Sequence, residues 1–215
     1  MKNIILQHWT GELGPLELAS KANMEKYAKQ CGAEYELILG NQFHPKLHGC
    51  YQKLIMLDKR FDKYQDTLMV DLDMFVVKNV KENVFHVPGV GLNSKVQKDI
   101  FKAMCKGKKY RSVTDSNGPF WGGAFWKFTN EQRKQLRKFI VDKELKIFNK
   151  NFNDEGAIHR LATLAGLKQI DVPEEWCWGN CFPGYENAKM IHIRHKFKYV
   201  GPKVPKLEVY EALKK

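Results

Sequence analysis

The chain opens on a continuous apolar run, Ile4-Ile5-Leu6, of the kind a strand shows when both its faces are buried in a parallel sheet. Residues 15–30 then place Leu18, Ala19, Ala22, Tyr27 and Ala28 at helical spacing, with Gly32 just beyond, where helices commonly end. A second strand is predicted over 35–39. A loop containing Gly and His, residues 40–49, leads from it into a predicted helix bearing Tyr51, Leu54, Ile55 and Leu57. Thr67-Leu68-Met69-Val70 predicts a third strand, which ends directly on Asp71-Leu72-Asp73 and resumes as Met74-Phe75-Val76-Val77. Further short strands are predicted over 87–92, 124–128, 170–172 and 190–193, and helices over 95–105, 131–148 and 154–165. In the last helix Ala157, Ile158, Leu161 and Ala162 share the inward face. Alternating strands and helices imply an α/β fold, in which ligands bind outside the carboxyl ends of the strands. Asp71 and Asp73 lie at such an end.

Length and composition narrow the picture. A chain of 215 residues suits a single domain over 1–215, complete or excised from a longer protein. No apolar run approaches the roughly 20 residues of a membrane-spanning helix, and the first residues lack the features of a signal peptide. A cytoplasmic location is therefore expected. Five irregularly spaced cysteines do not form a disulfide framework. The formal charge of +12 implies an anionic partner, and much of it lies in 95–109, 133–150 and 189–206, interleaved with apolar residues as on the wet faces of helices. Neither a G-x-x-x-x-G-K-[ST] loop nor a G-x-G-x-x-G after the first strand is present, which removes the main support for ATPase or dinucleotide chemistry. Instead Gln7-His8-Trp9-Thr10-Gly11 follows that strand, offering an aromatic face with amide and hydroxyl donors. Two alternatives stay open at this point. A basic nucleic-acid-binding module would use the same charge, although no recognition signature for it occurs. A sugar-phosphate nucleotidyltransferase would need a Gly-rich, basic loop after the first strand, which residues 7–14 lack.

The strongest constellation is Asp71-Leu72-Asp73, since carboxylates two residues apart at a strand end can converge on one hard cation that keeps positions open for phosphate oxygens. Such a pair also arises by chance on surfaces and at caps. Here apolar residues lead into it and follow it, and unpaired carboxylates at the mouth of a core strand are costly. A bound cation would compensate them. On this reasoning the two carboxylates repel each other without metal, so Asp71→Asn or Asp73→Asn should leave stability unchanged or slightly raised.

These segments resemble, in order, the GT-A glycosyltransferases. Residues 51–57 followed by 66–77 are similar to the D-x-D region and its preceding helix. Trp121-Gly122-Gly123-Ala124-Phe125 resembles the glycine-rich strand beside the donor sugar, and residues 153–158 resemble the acidic helix start that faces sugar and acceptor. Met190-Ile191-His192-Ile193 resembles the late strand whose histidine is a further metal ligand, with Lys196 or Lys198 near the phosphate-binding lysine. The resemblance implies a Rossmann-like, mixed and mainly parallel sheet flanked by helices. It implies transfer of a hexose, glucose or rhamnose, from a UDP-sugar to a hydroxyl of a glycan or glycoprotein acceptor, with retention and without nucleic acid as a partner. Asp71, Asp73 and His192 would hold Mn2+ or Mg2+, the imidazole favouring Mn2+. Gln7, Trp9, Thr10, Lys53, Asp71, Leu72, Asp73, Trp121, Gly122, Gly123, Lys196 and Lys198 would bind the donor, and Asp154 and Glu155 would be catalytic. The sequence departs from the family after His192, where Arg194-His195-Lys196-Phe197-Lys198 replaces the usual glycine and Lys-Pro-Trp.

Plainer roles compete at several positions. Asp154 and Glu155 suit capping of a helix start, which can coexist with catalysis. Trp9, Trp121, Trp176 and Trp178 suit a core as well as a stacking face. Cys177-x3-Cys181 with His192-x2-His195 imitates a zinc pattern, with a final spacing shorter than usual.

Overall fold

A computed structural model describes residues 1–77, 79–91, 122–140, 154–168, 170–179, 185–194 and 205–213. Strands β1 (Ile4–Trp9), β2 (Glu34–Leu39), β3 (Asp66–Val70) and β5 (Phe125–Thr129) form one sheet in the order β2-β1-β3-β5. β1 is parallel to both β2 and β3, and β5 is antiparallel to β3. A second sheet joins β4 (Met74–Val76), β7 (Met190–His192) and β6 (Trp178–Gly179) in the order β4-β7-β6. The helices are α1 (Pro15–Gln30), α2 (Asn130–Arg137), α3 (Asp154–Leu164) and α4 (Lys206–Leu213).

The uninterrupted apolar run of β1 is explained by burial on both sides. Ile4 and Leu6 pack with Leu54, Met69, Trp126, Ile158 and Leu161 on one face of the sheet, while Ile5 packs with Met24, Tyr27, Leu68 and Phe125 on the other. Alternation of side chains along a strand divides the core in this way. Each such aliphatic side chain contributes about 1.5–3 kcal/mol on burial. α1 begins at Pro15, whose fixed φ suits the first helical position, and Glu17 reaches back to accept from the Gly14 amide at 3.1 Å.

Several sequence expectations change. Residues 49–57 wind as a 3₁₀ helix, Gly49–Leu57, and not as an α-helix. The apolar stretch after Asp73 does not continue β3. The chain turns, with the Met74 amide donating to the Asp71 carbonyl at 3.1 Å, and β4 enters the other sheet. Hydrophobic pattern reports burial but not sheet membership. The strands predicted over 87–92 and 170–172 reduce to a bridge at Gly91, which pairs with Trp126 and with Asp171. Gly89 breaks the first of them: its φ is +99°, and a Cβ there would lie 2.4 Å from the Asp171 carbonyl oxygen. The helix predicted over 131–148 ends at Arg137, where the Arg137 guanidinium is held by Asp62 and by the Leu57 carbonyl. Residues 141–148 and the helix expected at 95–105 lie outside the described residues. Among the described residues no helix is long and apolar enough to cross a membrane.

Candidate active site

The site grows from the last rung of β3. The Asp71 amide donates to the Ala124 carbonyl at 3.0 Å, and the Asp71 carbonyl accepts from Gln7 Nε2 at 3.0 Å. Leu72 is buried. The Ile193 amide donates to the Asp73 carbonyl at 2.9 Å, and β7 runs antiparallel to β4 with His192 opposite Met74. His192 Nε2 is thereby 3.1 Å from Asp73 Oδ1 and 3.9 Å from Asp71 Oδ2. One ligand atom from each of Asp71, Asp73 and His192 can be chosen so that all lie within 4.8 Å of one another.

Donor chemistry at this cluster suits a divalent cation. Asp73 Oδ1 is buried and makes no hydrogen bond. His192 Nε2 stands 3.1 Å away, and a cation shared between the two atoms would satisfy the carboxylate oxygen. The other ring nitrogen, Nδ1, accepts from Arg194 Nε at 3.1 Å, so a neutral ring carries its proton on Nε2, and for Nε2 to hold a cation that proton must leave or move to Nδ1 as the Arg194 contact loosens. Burial alone would raise the Asp73 carboxyl, but His192 and a Lys206 ammonium bound to Oδ2 outweigh it and hold the group well below the usual carboxylate range.

A second group of charges adjoins the first. Lys53, on the Gly49–Leu57 helix, is buried with Nζ 2.6 Å from Asp71 Oδ1, 2.5 Å from Asp154 Oδ2 and 2.7 Å from the Gly123 carbonyl. Its Nζ also lies 5.1 Å from the centre of the Trp126 ring. Burial favours the neutral amine, but Asp154 and Asp71 prevail and hold Lys53 as an ammonium. Glu155, beside Asp154 at the start of α3, accepts from the Gly123 amide at 3.1 Å. Burial, then the neighbouring Asp154, pushes the Glu155 carboxyl upward. Gly123 is enclosed by these acids, since a Cβ there would lie 2.5 Å from Asp154 Oδ2. Gly123→Ala is accordingly expected to displace Asp154 from Lys53 and to cost about 1–3 kcal/mol. A urea melt that matches wild type would show that the loop yields without disturbing the ion pair.

A cavity of about 270 Å³ opens beside both groups, lined by His8, Trp9, Thr10, Gly49, Lys53 and the Asp71–Asp73 turn among others. The expected donor residues Trp9, Thr10, Lys53, Asp71, Leu72 and Asp73 therefore come together here. Gln7 does not line it. Its buried amide donates to Ser20 and to the Asp71 carbonyl and accepts from Tyr35, so it braces the Asp71 turn from inside. Gly122 meets Trp126 through its carbonyl, which accepts the indole N–H at 3.0 Å. Trp121, Lys196 and Lys198 lie outside the described residues, as do Cys181 and His195 of the zinc-like pattern. Its other members point apart from a thiolate site, since His192 faces the two aspartates and burial pushes the Cys177 thiol up to about 12. Trp176 is core, while Trp178 is half-buried.

Sequence reasoning missed two residues. His8 lines the cavity and bonds the Gly40 carbonyl through Nε2 at 2.8 Å. It could have been read from its place beside Trp9, at the end of β1. Lys206 stands 133 positions from Asp73 in a lysine-rich tail, where no local signal separates it from its neighbours.

The chain has a glycosyltransferase fold, a mixed sheet flanked by helices with an Asp-x-Asp group at the sheet's carboxyl edge. It is similar to the crystal structure of a glycosyltransferase involved in the glycosylation of the major capsid of PBCV-1. That similarity covers 100% of both chains at a TM-score of 0.59 and 10% sequence identity. No family model matches the sequence, and no curated protein matches it.

Proposed function

We propose that this chain is a metal-dependent glycosyltransferase of one domain that moves a hexose, glucose or rhamnose, from a UDP-sugar to a hydroxyl of a glycan or glycoprotein. The observation that carries the reading is the convergence of Asp71, Asp73 and His192 beside an open cavity in a chain of this fold. These three residues would hold Mn2+ or Mg2+, which when bound supplies positive charge to the diphosphate oxygens as the sugar leaves. Lys206 joins Lys196 and Lys198 as a lysine for the diphosphate, and it has the support of lying against Asp73. Trp9, Thr10 and His8 offer a face and polar groups for the nucleoside. Asp154, fixed by Lys53, is suited to stabilise positive charge at the anomeric carbon on the retaining course, and Glu155 to orient the acceptor hydroxyl. The neighbour's involvement in glycosylation of a major capsid favours a protein-linked glycan as acceptor.

Thermal melts with and without Mn2+ test this reading. UDP and UDP-hexoses are expected to raise the melting temperature more than ADP, GDP or CMP equivalents, and to do so with Mn2+ present. Equal shifts with every nucleotide, or none that depends on the cation, would remove the UDP-sugar assignment.

A further inference from the structure

We infer that Lys206 and the divalent cation compete for Asp73, so that displacement of Lys206 makes binding of the cation and of the nucleotide diphosphate cooperative. This rests on the glycosyltransferase reading above. The Lys206 ammonium sits on Asp73 Oδ2, while Asp73 Oδ1 faces His192 Nε2 at 3.1 Å without a hydrogen bond. A cation held by Asp71, Asp73 and His192 would share one carboxylate with a full positive charge, and the two cations repel.

The two lysines of the site differ in what they can do about this. Lys53 is enclosed, its side chain 8% exposed, and it is bound by two carboxylates and the Gly123 carbonyl. It has nowhere to go. The Lys206 side chain is 30% exposed and stands on the first turn of α4, with Asp73 as its partner across the fold. α4 itself is anchored further along, where Val209 joins Leu16, Phe75 and Ile191 and the Tyr210 ring stacks on Phe75 at 4.4 Å. The flexible stem of Lys206 can therefore swing off Asp73 while the helix stays docked. A diphosphate arriving at the same place offers the released ammonium a new anionic partner. Each ligand then removes a cost that the other would otherwise meet, and the coupling is reciprocal by linkage. The C-terminal helix in this way discourages cation loading until the nucleotide is present.

Calorimetric titration of Mn2+, alone and with saturating UDP, into wild type, Lys206→Met and Lys206→Arg tests the competition. Lys206→Met is expected to bind Mn2+ alone about tenfold or more tighter than wild type, with the enhancement by UDP reduced by a similar factor. Lys206→Arg should keep the wild-type pattern. A Met variant that binds Mn2+ alone no tighter than wild type, with the UDP enhancement intact, overturns the inference and leaves the metal-site reading standing. Wild type that binds no Mn2+ even with UDP overturns both. Should Lys206→Met fail to fold, Tyr210→Ala, which loosens α4 from Phe75, is expected to tighten Mn2+ binding in the same direction by a smaller factor, and an unchanged affinity counts against the competition.

Discussion

Lys53→Met is expected to cost about 3–5 kcal/mol of folding stability, because breaking a buried ion pair from one side leaves the other charge uncompensated. The stranded groups are Asp154, 6% exposed, and Asp71, whose carboxylates lie 2.5 and 2.6 Å from the Lys53 ammonium. Met occupies much of the lysine stem, so the loss reads charge more than cavity volume. A double-mutant cycle separates the two. Lys53→Met combined with Asp154→Asn removes both charges together and should be less destabilised than the sum of the single variants by more than about 1 kcal/mol. Additive costs in urea titrations would mean that Lys53 and Asp154 do not act as a pair. Sugar transfer should fall sharply in Lys53→Met as well, since the same ammonium sets the position of a metal ligand and of the acid at the start of α3.

Asp73→Asn and Asp71→Asn are expected to weaken Mn2+-dependent UDP binding by about a hundredfold or more, since each removes a charged ligand from a site whose third member is a neutral imidazole. Their effect on stability reverses the expectation drawn from the sequence. Two bare aspartates would repel each other, but the fold gives each a cation of its own, Lys53 for Asp71 and Lys206 for Asp73. Asp71→Asn takes a carboxylate from a buried ammonium and should cost about 1–3 kcal/mol. Asp73→Asn also destabilises, and its cost depends on pH in a defined direction. The folded Asp73 carboxyl titrates below its unfolded value of about 3.9. Its contribution is therefore complete above that value and is lost as the pH falls through the folded one. The gap between wild type and Asp73→Asn should be full at neutral pH and begin to close below about pH 4. Melts of metal-free protein across pH 2–7 check this, and an Asp73→Asn variant as stable as wild type at neutral pH would contradict the pairing with Lys206.

How much of the site could be read in advance differs from residue to residue. Asp71 and Asp73 were legible because an apolar strand ending on two acids is a local pattern, and local patterns carry burial and strand ends. Trp9 and Thr10 are legible from their place at the end of β1. His192, Lys53, Asp154 and Glu155 became candidates through resemblance to a family, since nothing within a few residues of any of them indicates a partner. Gln7, a donor candidate in the sequence, is fully buried and braces Asp71. A polar residue at a strand end looks alike in sequence whether it faces the cavity or the core. The strands expected at 87–92 and 170–172 are shortened rather than lost: among the described residues Val90 and Gly91 bond to β5 and to 170–172 through their backbones, and hydrophobic composition does not mark where such pairing stops.

The sequence by itself determined the double-faced burial of β1, the extent of α1, the inward face of α3 and the place of the acidic pair at the end of β3. Each is a matter of side-chain periodicity, turn chemistry or a helix-start residue, which act over a few positions. Only the tertiary structure decided that the chain changes sheets after Asp73, that β7 pairs with β4 and sets His192 against that acid, and that α4 packs on Phe75 and delivers Lys206 to the same carboxylate. It also decided that Lys53 lies between Asp71 and Asp154. These outcomes depend on which distant surfaces bury each other, a sum over many weak contacts across the whole chain, and no local window contains that sum.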